Sequence, residues 1–132
     1  MVELLTAIIS GYSSDITGLK TATTGMFSRN MAPRDTSGVY ITVSCPVTVT
    51  TDYSEDSDYE NITVDFNVWE TNTSPKGVMD VGRLVKTKYV DNMITVTGYY
   101  TIRADKIDER DLGDNDKGQH YVVSIRYLLQ TQ

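Results

Sequence analysis

The chain has one cysteine, Cys45, so no internal disulfide can form, which suits a reducing compartment. At the end of "VYITVSC" the thiol reads as half-buried and inert. No apolar run approaches the roughly 18 residues that a membrane-spanning helix needs, and no membrane partner is expected. The opening "MVELLTAIISGY" is apolar but carries Glu3 where a signal peptide has basic residues, so none is expected. Basic clusters are missing too. Lys and Arg number 12 against 18 Asp and Glu, a formal charge of −6. A chain without a basic patch is poorly suited to gripping phosphates.

The usual chemical motifs are also lacking. His120 is the sole histidine, and no Cys, His or carboxylate set has zinc-ligand spacing. A Ser-His-Asp triad needs only one His, but no Ser stands in a GxSxG elbow. His120 opens a strand on its outer face and reads as a surface residue. There is no Walker A sequence, no dinucleotide fingerprint, and no Asp or Glu two residues before a Lys. The acidic stretches "DYSEDSDYEN" and "DLGDNDKG" lack the ligand spacing and central Gly of a calcium loop. They read as solvated turns. No catalytic residue, metal site or cofactor is expected.

What is present is pattern. The length of 132 residues fits a single domain over 1–132. The acidity is local: without Asp52, Glu55, Asp56, Asp58 and Glu60 the formal charge would be −1. "VELLTAIIS" places Val2, Leu5 and Ile9 on one helical stripe, with Leu4 and Ile8 beside it, ending near Gly11. "SSDITGLKTATTG" reads mostly as loop, and "MFSRNMAPRDTSG" as a brief strand and turn. In "VYITVS", Val39, Ile41 and Val43 share a face. Pro46 then marks an edge or interruption before "VTVT" resumes.

The stretch from Ile62 to Val90 changes period at its middle. Ile62, Val64, Phe66 and Val68 alternate with polar residues, the pattern of a half-buried antiparallel strand. After Ser74 as N-cap and Pro75 at the first helical position, Val78, Val81, Val85 and Tyr89 form a helical stripe. Gly82 within it predicts close approach to a sheet.

"MITVTGYYTIRA" reads as one long strand bent at Gly98, with Ile94, Val96, Tyr100, Ile102 and Ala104 in one register. "DKIDERDLGDNDKGQ" reads as a charged excursion. "HYVVSIRYLL" puts Tyr121, Val123, Ile125, Tyr127 and Leu129 on one face. No internal repeat is evident. The order predicts an α+β fold, an antiparallel twisted sheet with two helices packed on one face. Trp69, the sole tryptophan, lies on the face opposite Phe66 and Val68. It either caps the far end of the core or is exposed for a partner. Tyr40, Tyr53, Tyr59, Tyr99 and Tyr100 offer amphipathic contact area.

In this order, the features resemble the tail-completion, or tail-to-head joining, proteins of long-tailed bacteriophages, also called tail terminators. "GMFSRNMAPRDTSGVYITVS", then "VDFNVWETN" feeding "SPKGVMDVGRLVKTKYV", then "GYYTIRADKIDERDLGDNDKGQHYVVSIRYLL" carry the resemblance across nearly the whole chain. It implies a structural virion protein, not an enzyme, made in the host cytoplasm and placed at the tail–head junction. It further implies a homo-oligomeric ring, sixfold, that caps the tail tube and meets a head-side connector or stopper. Genomic DNA would pass through the lumen without specific binding. An acidic lining repels phosphates and lets a duplex slide. Two groups are candidates for that lining or for partner contacts. One is Asp52, Glu55, Asp56, Asp58 and Glu60; the other is Asp108, Glu109, Asp111, Asp114 and Asp116. The alternatives are another neck component, either connector or stopper, and a small carboxylate-dependent enzyme. Metal-dependent stability would mark the enzyme, and ring formation without turnover the structural protein.

Overall fold

The computed structural model describes residues 2–15, 17–28, 36–52, 58–71, 76–115 and 118–132, with backbone alone at 46–52, 58, 76, 114 and 115. In chain order these are α1 (Val2–Ser13), α2 (Leu19–Ala22), β1 (Gly25–Ser28), β2 (Val39–Asp52), β3 (Asp58–Glu70), α3 (Lys76–Tyr89), β4 (Tyr99–Asn115) and β5 (Gly118–Thr131). The five strands form one sheet in the order β1-β2-β3-β5-β4. The fold is α+β, as expected. The pairing is antiparallel except between β1 and β2, which run parallel, so the sheet is mixed. Helices α1 and α3 pack on one face, joined by the short α2 in the stretch expected to be mostly loop.

The helix-side core follows from the two periods. Ile62, Val64, Phe66 and Val68 of β3 lie opposite Tyr127, Ile125, Val123 and Tyr121 of β5, and all are buried. Val78, Val81, Val85 and Tyr89 of α3 are buried against them. The Phe66 and Tyr89 rings stack at 4.9 Å between centroids. The Tyr127 hydroxyl donates to the Tyr89 carbonyl, and the Tyr89 hydroxyl to the Ile8 carbonyl, so polar tips are satisfied inside the core. The buried Tyr89 hydroxyl is held well above the ordinary tyrosine range by desolvation.

Several expectations are corrected. In α1 the buried stripe is Leu4, Ile8 and Tyr12, while Val2 is 75% exposed. The helix runs past Gly11 to Ser13, because Tyr12 is anchored by a 2.7 Å hydrogen bond to Thr23. β2 continues through Pro46 with a register shift between Ser44 and Val47. β1 pairs only with Tyr40–Val43, so Pro46 stands past the end of that ladder, where its missing N–H costs no bond to β1. Residues 93–98 are not strand. Gly98, at φ 85, precedes β4, in which Tyr100 and Ile102 are exposed. The expected charged excursion from Asp105 is strand as far as Asn115. Ser74 and Pro75 lie outside the described residues.

Candidate functional surface

Two regions gather the residues that the sequence marks: the sheet face away from the helices, and the long β4–β5 hairpin. On the first, strand alternation sets Tyr40, Trp69 and His120 side by side on β2, β3 and β5. Trp69 and His120 stack at 3.7 Å and 10°, and Tyr40 adds a third ring at 6.5 Å. The Trp69 indole N–H donates to the Thr42 hydroxyl at 3.1 Å. His120 Nε2 lies 2.9 Å from Asn67 Oδ1. Ser124 donates to Asp65 at 2.6 Å. Burial, then the nearby Arg110 charge, push the His120 imidazolium below its ordinary range. Trp69 is therefore half-buried at the centre of an aromatic ladder outside the helix-side core.

The acidic residues do not converge. Asp52 ends β2 opposite Asp58, the first residue of β3, while Glu55 and Asp56 lie outside the described residues. Glu60 sits opposite Leu129 on the helix side of the sheet, half-buried, its Oε2 shielded and with no partner among the described residues. The second group begins along β4. Asp108 accepts from Arg110 at 2.9 Å, and Glu109 from Lys106 at 2.7 Å. Hydrogen bonds from Lys106 and Tyr121 hold the Glu109 carboxyl below the usual range. Asp111 accepts the Gly113 N–H at 2.8 Å. Asp114 is the penultimate residue of β4, and Asp116 is outside the described residues.

The two groups end in turns at opposite ends of the sheet. Tyr59, near the β2–β3 turn, pairs with Gln130, whereas Glu70, at the far end of β3, pairs with Gln119 beside the β4–β5 turn. At about 3.4 Å per residue, the turns are on the order of 40 Å apart. The charges along β4 are largely self-paired: Arg103 with Asp105, Lys106 with Glu109, and Arg110 with Asp108. Among the described residues no three His, Cys, Asp or Glu side chains gather as a metal site.

One feature escapes a reading by alternation. β4 carries three bulges, at Ile102, Ile107 and Leu112, each skipped between paired neighbours. They punctuate three pentads, "TIRAD", "KIDER" and "DLGDN", with an aliphatic residue second in each. Within β4 an aliphatic residue therefore recurs every five residues. A search for short periods would have found it, whereas alternation hides it, because each bulge resets the phase.

Comparison with protein-family models and with curated proteins gives no match. Solved structures do match. A chain from the virion of a native gene transfer agent particle is similar with a TM-score of 0.74 at 10% identity, over 95% of this chain and 92% of that one. Bacteriophage SPP1 gp17 is similar with a TM-score of 0.61 at 19% identity, over 94% and 86%. At these identities it is the fold that is shared.

Proposed function

We propose that this chain is a tail-completion protein: a structural, non-enzymatic virion subunit at the tail–head junction of a phage-like particle. Copies assemble into a ring, sixfold in the family it resembles. The ring caps the tail tube and meets the head-side connector or stopper, and DNA passes through its lumen. The observation that carries this reading is the match in fold, over nearly the full length of both chains, to a gene transfer agent virion component, with a bacteriophage protein beside it. The arrangement of the surface agrees. A subunit that joins two different bodies needs two separated contact regions, and the acidic turns lie at opposite ends of the sheet. We assign the Asp52–Glu60 turn and the Asp114–Asp116 turn to these two contacts or to the lumen rim. The ion pairs along β4 make Asp108 and Glu109 poorer candidates for a lining that repels phosphate.

The test is complementation. Tails assembled without the protein should fail to join heads, and adding the purified chain should restore joining with one discrete oligomer per tail. Tails that join heads equally well without it would refute the reading. Recovery of the chain on isolated heads alone would assign it to the head-side neck instead.

A further inference from the structure

We draw no further inference here: the strongest candidate, the Tyr40–Trp69–His120 aromatic ladder on the sheet face away from the helices with Gly113 beside its His120 end, borders residues outside the described ones, and nothing in the structure shows what covers it.

Discussion

A Cβ built on Gly82 of α3 would lie 2.7 Å from Cε1 of the Tyr121 ring on β5. The helix meets the sheet this closely only because position 82 has no side chain. Tyr121 cannot swing away freely, since it is buried and hydrogen-bonded to Glu109. Gly82→Ala gains about 1 kcal/mol of helix propensity but adds a methyl to a filled space, at about 1–3 kcal/mol. The expected outcome is net destabilisation by urea unfolding, larger for Gly82→Val. A stabilised Gly82→Ala would show that the contact relaxes without cost.

Trp69 reports on His120. Being the sole tryptophan and stacked on the imidazole, its emission should titrate with His120, with a midpoint below the ordinary 6.5. Burial lowers the folded value, so the unfolded chain binds the proton first. Stability contributed by the neutral ring is thus present above about 6.5 and declines as pH falls through the folded pKa. His120→Phe should abolish the emission titration. A midpoint above 6.5 would contradict the burial of the ring.

Asp15 acts at lower pH. Burial alone would raise its carboxyl. Hydrogen bonds from the Thr17 hydroxyl and the N–H groups of Lys20 and Thr17, with the Lys88 charge, outweigh that and bring it to about 2 from 3.8. A depressed carboxylate stabilises the fold above its unfolded pKa, and that stability is lost as pH falls from about 4 towards 2. Asp15→Asn should melt lower than the parent at pH 7, with the gap closing by pH 2. An unchanged gap would separate the acid transition from this residue.

Hydrogen exchange tests the acidic part of β4. The β4 amides that pair with β5 should be protected in the free chain, because a ladder runs from Tyr99 to Asn115. Exchange there as fast as in an unstructured peptide would reject the strand.

Where one period held, the sequence was legible. Phe66 and its neighbours alternate without a break, and Val78, Val81, Val85 and Tyr89 hold helical spacing, so both buried faces could be read directly. In α1 two adjacent stripes are both apolar. What decides for Leu4 and Ile8 is remote, namely the Tyr12–Thr23 and Tyr89–Ile8 hydrogen bonds. The parallel pairing of Gly25 with Tyr40 leaves no local trace. The part of β4 from Asp105 onward was missed because Ile107 and Leu112, like Ile102 before them, break the alternation every five residues and because its charges look like those of a loop until their ion pairs are seen. The stacking of Trp69 on His120 joins residues 51 positions apart, which face parity could not pair.

The most direct measurement is a cryo-electron microscopy reconstruction of the intact particle with this chain located in it. The expected result is a single ring of copies at the head end of the tail tube. Density for the chain repeating along the tube, lying within the head, or absent from the particle would contradict a tail-completion role.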